Sequence, residues 1–238
     1  KTIKFTASVN DNNYQAPFRF EADATVQNLT IDMSEVTDNR FRAISSKGNL
    51  TVDGCKFIGK DETLNCRAII FGEGAGANVG NLAISITNSE FINWKRGITD
   101  NENAQDVKTV TITGNRLTDA GIGVSAKEKV TFTGNTVSGA YVNIKSYTAG
   151  NKLAVTATGN TLEANTDETG KFNVIDAGGV VNAEGFNIVA KGGSIIGYTS
   201  TEGIYGEVWG NSRKKFVINV VDAQGNVMGT TSLNNVGG

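Results

Sequence analysis

The chain has 238 residues, of which 39% are hydrophobic and 19% charged, a balance that supports a folded core and excludes disorder. Its 22 basic and 24 acidic residues leave a formal charge of −2 with no basic stripe, so neither nucleic acid nor an anionic membrane surface is an expected partner. Pro17 is the one proline against 29 glycines, which favours short strands and tight turns over long helices, and no run approaches the roughly 18 apolar residues of a membrane-spanning helix.

In chain order, residues 1–24 are predicted to form an irregular first coil or an end cap, because an uncapped solenoid exposes apolar core and free strand edges. A repeat then begins. Leu50-Thr-Val52-Asp-Gly-Cys55-Lys-Phe57 is echoed by Ile84-Ser-Ile86-Thr-Asn-Ser89-Glu-Phe91 and by Val110-Thr-Ile112-Thr-Gly-Asn115-Arg-Leu117. Val130-Thr-Phe132-Thr-Gly-Asn135-Thr-Val137 and Val155-Thr-Ala157-Thr-Gly-Asn160-Thr-Leu162 continue it, and Leu29, Ile31, Ser34 and Val36 form a weaker copy before it. Within each copy apolar residues alternate with Thr, Ser or Asp, the pattern of a strand with one buried face. Ala43-Ile44, Ala68-Ile69, Gly97-Ile98, Gly123-Val124 and Asn143-Ile144 mark a second strand in each coil. One coil alone cannot bury its inner face, whereas stacked coils close a continuous core. The predicted fold is therefore all-β, a right-handed parallel β-helix over residues 25–196.

The turn position of the copies holds Ser34, Cys55, Ser89, Asn115, Asn135 and Asn160, side chains suited to bonding along the solenoid axis while the turn takes up left-handed backbone. With this apolar alternation and these turn asparagines, the chain resembles the pectin-lyase-like superfamily of right-handed parallel β-helices, over roughly residues 25–196. The resemblance is one of architecture and implies no activity. The superfamily's polygalacturonase-like motifs and its pectate-lyase Arg-x-Pro-x-x-Arg are absent, so no catalytic role carries over.

Residues 197–238 are predicted to be a β-rich cap or the start of a β-sandwich module. Phe216 to Val221, a turn over residues 222–226, and Val227 to Leu233 read as a β-hairpin, similar to the strand-rich modules of bacterial cell-surface proteins. Lys1 in place of an initiator Met, and an end on Asn234-Asn235-Val236-Gly237-Gly238, suggest a processed piece of a larger secreted or cell-surface protein, here a monomeric module.

Function is narrowed mainly by subtraction. No His occurs, which removes imidazole bases and the commonest transition-metal ligand. Cys55 and Cys66 carry no zinc spacing and read as buried small apolar residues, with a local disulfide as the alternative. Neither a metal nor a cofactor is expected. Gly72 to Gly80 lacks the Lys-Ser/Thr end of a phosphate loop and reads as a connecting loop. Tyr141, Tyr147, Tyr205 and Trp209 read as packed aromatics.

One column stands out. Arg42, Arg67 and Arg96 each precede an inward aliphatic residue by two positions, so three guanidinium groups fall in neighbouring coils. Like charges there require anionic compensation. Glu73, Glu102 and Glu128, four residues after Ile69, Ile98 and Val124, with Asp38 and Asp100, can supply it as a structural ladder; an acidic glycan can supply it as a ligand. The ligand-binding candidates are thus Arg42, Arg67, Arg96, Trp94, Glu73 and Glu102. Trp94 to Asp106 is the densest polar segment, and Ca²⁺ held by its acids is a lesser alternative. The leading expectation is a noncatalytic extracellular module that recognises an acidic polysaccharide or a cell-surface glycan. The alternatives are a polysaccharide-degrading enzyme using Asp100, Glu102 or Asp106 as acid or base with Lys95 or Arg96 beside them, and a structural spacer.

Overall fold

A computed structural model of the chain describes residues 1–6, 16–37, 41–61, 65–72, 81–100, 107–146, 153–164, 172–175, 181–190, 206–208, 215–221 and 227–234. These residues contain strands and no helix. In chain order the strands are β1 (Thr2–Lys4), β2 (Phe18–Phe20), β3 (Ala24–Gln27), β4 (Thr30–Asp32), β5 (Arg42–Ser46), β6 (Leu50–Asp53), β7 (Lys56–Asp61) and β8 (Arg67–Phe71). Then follow β9 (Leu82–Thr87), β10 (Glu90–Asp100), β11 (Val107–Thr113), β12 (Arg116–Ala126), β13 (Lys129–Thr133), β14 (Thr136–Ser138) and β15 (Val142–Ser146). The remainder are β16 (Ala154–Thr158), β17 (Thr161–Ala164), β18 (Phe172–Ile175), β19 (Val181–Ala190), β20 (Gly206–Val208), β21 (Lys215–Val221) and β22 (Val227–Asn234).

The strands stack in parallel ladders, and successive strands of the chain pass from one ladder to the next, as in a β-solenoid. The first ladder runs β3, β6, β9, β11, β13, β16 and the start of β19. The second runs β1, β4, β7, the start of β10, the start of β12, β14 and β17. The third runs β2, β5, β8, the ends of β10 and β12, β15, β18 and β20. Strands β10 and β12 bend through the corner and belong to both the second and third ladders. At the C-terminal end β21 pairs in parallel with β19, and β22 returns antiparallel along β21.

The repeat dictates this register. Leu50 pairs with Ile84, Ile84 with Val110, Val110 with Val130 and Val130 with Val155, and all five are buried. In the second ladder Ile31, Phe57, Phe91, Leu117 and Val137 stack in the same way, each fully buried. The rings of Phe57 and Phe91 lie parallel, 4.9 Å apart. Each such side chain contributes about 2 to 3 kcal/mol by leaving water, and none could do so without the coil beside it.

Two predicted alignments are corrected. The weak copy does not begin at Leu29: Ala24 pairs with Leu50 and Val26 with Val52, so the turn residue of the first coil is Leu29, not Ser34. Ser34 instead bonds locally, its N–H and hydroxyl both donating to Asp32 Oδ1. In the third ladder Ile98 pairs with Ile122 rather than Val124, and Ile122 with Val142, because β10 carries register shifts between Trp94 and Ile98 that sequence alignment does not see.

The turn ladder itself is present. Asn115 N–H donates to Asn135 Oδ1 at 3.0 Å and Asn135 N–H to Asn160 Oδ1 at 2.9 Å, while Asn115, Asn135 and Asn160 each send Nδ2 back to Ile86, Ile112 and Phe132 carbonyls at 2.8 to 2.9 Å. The left-handed backbone belongs to the residue before each turn position from Leu29 to Asn160, namely Asn28, Gly54, Asn88, Gly114, Gly134 and Gly159, with φ between 49° and 67°. Glycine and asparagine are the residues that enter this region at least cost. The predicted left-handed turn thus lies one residue earlier than its ladder. Cys55 and Cys66 are buried and form no disulfide; burial raises the Cys55 pKa, which keeps its thiol protonated.

Candidate functional site

The arginine column exists in the backbone. Arg42 pairs with Arg67 and Arg67 with Arg96 along β5, β8 and β10, and the next coil places Gly121 opposite Arg96. Alternation puts the three arginines on the same side of their strands as the buried Ile44, Ile69 and Ile98. Their side chains therefore start at the inner corner where the second ladder turns into the third. Arg42 is 7% exposed, whereas Arg67 and Arg96 are half-buried. Guanidinium groups at the strand spacing of about 4.8 Å repel by roughly 3 kcal/mol per pair at an effective dielectric near 20, so the column depends on what surrounds it. Each of the three arginines, and Asp100, is engaged in a polar or electrostatic contact.

The corner is built by aromatic packing. Phe41 and Trp94 meet edge-to-face with ring centroids 5.4 Å apart, and both are buried. Trp94 also lies against Gly59, where a Cβ would meet its ring at 2.9 Å and would clash with the Asn93 carbonyl. Backbone bonds tie the corner across coils, with Arg67 N–H donating to the Phe41 carbonyl at 2.9 Å and Arg96 N–H to the Cys66 carbonyl at 3.1 Å. Trp94 is fully enclosed, so its face offers no platform to a sugar ring; the indole fills the corner above a glycine. Lys95, the neighbouring catalytic candidate, is exposed.

Asp100 ends β10 with 4% of its surface exposed, and its Oδ2 accepts the Ser125 N–H from the next coil at 3.1 Å. Its carboxylate therefore ties one coil to the backbone of the next. Glu73, Glu102 and Asp106 lie outside the described residues, as do Asp38, Tyr147, Tyr205, Trp209 and the hairpin turn. Glu128 leaves the column: with Ile122 opposite Ile98, the position four residues on is Ala126, and Glu128 instead faces Lys108 at 3.6 Å. Tyr141 is half-buried and its ring packs over Gly121.

Buried polar residues are not scattered. Apart from Ser138 and the turn ladder residues, those of the described chain are Arg42, Ser45, Ser46, Thr99, Asp100 and Ser125, all on the third ladder. No group of three or more Cys, Asp or Glu among the described residues is arranged to hold a metal ion.

A polar groove elsewhere escaped the sequence reading. Asp23, Ala24, Thr25, Asn49 and Thr51 line a shallow cavity of about 270 Å³ on the outer face of the first ladder. Its signal, Asp23 and Asn49 each just before a repeat copy, was legible only once Ala24 was aligned with Leu50.

No protein-family model, no curated protein and no solved structure matches this chain.

Proposed function

We propose that the chain is a noncatalytic module of a secreted or cell-surface protein, and that it holds an acidic glycan against the third ladder at Arg67 and Arg96. The observation that carries the reading is the register of Arg42, Arg67 and Arg96 in adjacent coils of the ladder that also holds the buried Ser45, Ser46, Thr99, Asp100 and Ser125. Planar guanidinium forks match carboxylate or sulfate two bonds at a time, and a linear polyanion would offset the repulsion along the column. The half-buried Arg67 and Arg96 are the accessible members, with Arg42 as their buried support. Asp100 is enclosed and bonded to the Ser125 backbone, the arrangement of a structural carboxylate rather than a solvent-facing acid or base.

The test is calorimetric titration with oligogalacturonate at low and high salt, combined with a product-release assay. The wild-type chain binds more weakly as salt rises and releases no product, and Arg96→Ala weakens binding by about 1.5 to 3 kcal/mol, the range for hydrogen bonds to charged groups. Absence of binding together with a lower melting temperature for Arg96→Ala would reduce the column to scaffold. Product release that Asp100→Asn abolishes would make the chain an enzyme.

A further inference from the structure

We propose a second binding site, for neutral hydroxyl-rich sugar chains, in the groove lined by Asp23, Ala24, Thr25, Asn49 and Thr51. The groove exists because the first coil is drawn tightly onto the second. At Gly48 a Cβ would clash with the Ala22 carbonyl carbon and meet Asp23 N at 2.5 Å, so only glycine lets that backbone settle there. Ala24 N–H then donates to the Asn49 carbonyl at 2.9 Å, which fixes Asp23 beside Asn49.

The polar groups are set and only partly used. Asp23 Oδ1 accepts the Asn49 N–H at 2.9 Å and Oδ2 accepts Asn49 Nδ2 at 3.0 Å, while Asn49 Oδ1 accepts the Ala83 N–H at 2.8 Å. This network fixes which end of the Asn49 amide is oxygen. A carboxylate offers about four lone-pair sites and an amide nitrogen two hydrogens, so Asp23 retains acceptor capacity and Asn49 one donor. Thr25 and Thr51 add hydroxyls that both give and accept. Acceptors, a donor and hydroxyls side by side are what adjacent sugar hydroxyls require, since each of them gives and accepts in turn. No cation lines the groove and a carboxylate does, so a uronate or sulfated unit is disfavoured and a neutral one fits.

The surface extends beyond the groove. Along the outer face of the first ladder Thr25, Thr51, Ser85, Thr111, Thr131 and Thr156 fall in one register, a row of hydroxyls at the strand spacing of about 4.8 Å. A cavity of about 270 Å³ is at the small end for a ligand site, enough for one end of a chain whose remainder follows that row. None of these residues belongs to the arginine corner, so this proposal and the acidic-glycan reading stand or fall separately.

The experiment titrates the full chain with soluble cello- and xylo-oligosaccharides, with oligogalacturonate as the charged comparison, and follows backbone amide shifts as well as heat. Neutral chains shift amides of residues 23–25 and 49–51. Thr51→Val, which keeps strand shape and removes one hydroxyl, weakens them about tenfold with an unchanged melting temperature, and Arg67→Ala leaves them untouched. Asp23→Ala weakens them at least as much. The proposal is overturned if neutral chains produce no shifts, if only oligogalacturonate moves these amides, or if Thr51→Val and Asp23→Ala bind as the wild type does.

Discussion

Replacing Asn135 by Ala tests whether the turn ladder holds the coils together. The side chain is 1% exposed and uses its whole capacity. Its Oδ1 accepts from Asn115 N–H at 3.0 Å and from Asn115 Nδ2 at 3.1 Å, and its Nδ2 donates to the Ile112 carbonyl at 2.9 Å and to Asn160 Oδ1 at 3.0 Å. Truncation leaves the Asn115 N–H buried without its partner and takes from the Ile112 carbonyl, which stays in the β11–β13 ladder, its bond to the amide. At about 1 to 3 kcal/mol for the orphaned N–H and about 0.5 to 1.5 kcal/mol for the bond lost at Ile112, the loss is roughly 1.5 to 4.5 kcal/mol, the lower end applying if a water enters the space. Ser89 shows how a serine would fare at position 135, since its hydroxyl accepts the Cys55 N–H at 3.0 Å and donates to the Thr87 carbonyl at 2.8 Å. Asn135→Ser should therefore keep the Asn115 N–H satisfied, give up only the bond to Ile112, and cost about a third as much. Urea unfolding followed by far-ultraviolet circular dichroism measures both, with the slope compared across variants because a solenoid can lose cooperativity as well as stability. An alanine variant within about 0.5 kcal/mol of wild type, or a serine variant no better than alanine, would refute the reasoning.

Three further outcomes follow from the same coils. Gly134 has φ 64° and open space where a Cβ would go, so Gly134→Ala should cost about 1 to 2 kcal/mol from backbone strain alone. Gly134→Asn should cost less, as Asn28 and Asn88 occupy the same column at φ 54° and 49°; equal losses in urea melts would contradict this. Phe132, fully buried opposite Ile112, should lose about 3 to 5 kcal/mol on truncation to Ala, and a loss under 1 kcal/mol would mean that the interior is loosely packed there. The Thr87 hydroxyl and the Asn88 amide hold the Asp53 carboxyl below its ordinary value of 3.8. A depressed folded pKa adds stability that is present above the unfolded value and is lost as pH falls through the folded one. The melting-temperature difference between wild type and Asp53→Asn should accordingly shrink as pH drops below about 4, and a constant difference would remove Asp53 from the acid limb.

Solenoid, strand phase and turn ladder were legible because each coil must repeat the same solution. Leu50, Ile84, Val110, Val130 and Val155 align in sequence for the reason that they stack in space. Where a coil departs from the repeat, legibility ends. The bulged passage from Trp94 to Ile98 shifts the third ladder, so the sequence repeat pairs Val124 with Ile98 and brings Glu128 into the arginine column, whereas Ile122 lies opposite Ile98. In the first coil, Leu29 at the turn hid a copy that a search for Asn, Ser or Cys could not find. Trp94 departs for a related reason: a large aromatic among charges reads as a ligand contact, and only Gly59 in the preceding coil shows that space inside is left for it. The groove at Asp23 and Asn49 depends on Gly48 meeting the backbone of Ala22, a contact between coils that no local pattern encodes.

The ladder's composition follows its place in the stack. Each asparagine does two tasks for the coil before it, accepting a turn N–H and donating to a strand carbonyl. Ser89 is too short for the second, and the Val52 carbonyl is met by the Thr87 hydroxyl at a long 3.5 Å. Cys55 performs both only weakly, its sulfur taking the place of an oxygen beside the Leu29 N–H and its Sγ lying 3.5 Å from the Val26 carbonyl and 3.4 Å from that of Asp53. Leu29 does neither, and no described strand of the first ladder precedes it. Polarity at this position therefore declines as the coils remaining to be joined run out. An asparagine at position 55 would restore a full-strength bond to Val26, in a turn whose left-handed residue, Gly54, matches the Gly114 and Gly134 that precede Asn115 and Asn135. Cys55→Asn should raise stability by about 0.5 to 1.5 kcal/mol, the net value of one hydrogen bond. Cys55→Val, which keeps the volume and removes the donor, should lower it. Urea midpoints of the two variants decide: if Cys55→Asn falls below wild type while Cys55→Val matches it, position 55 is apolar core and the ladder ends at Ser89.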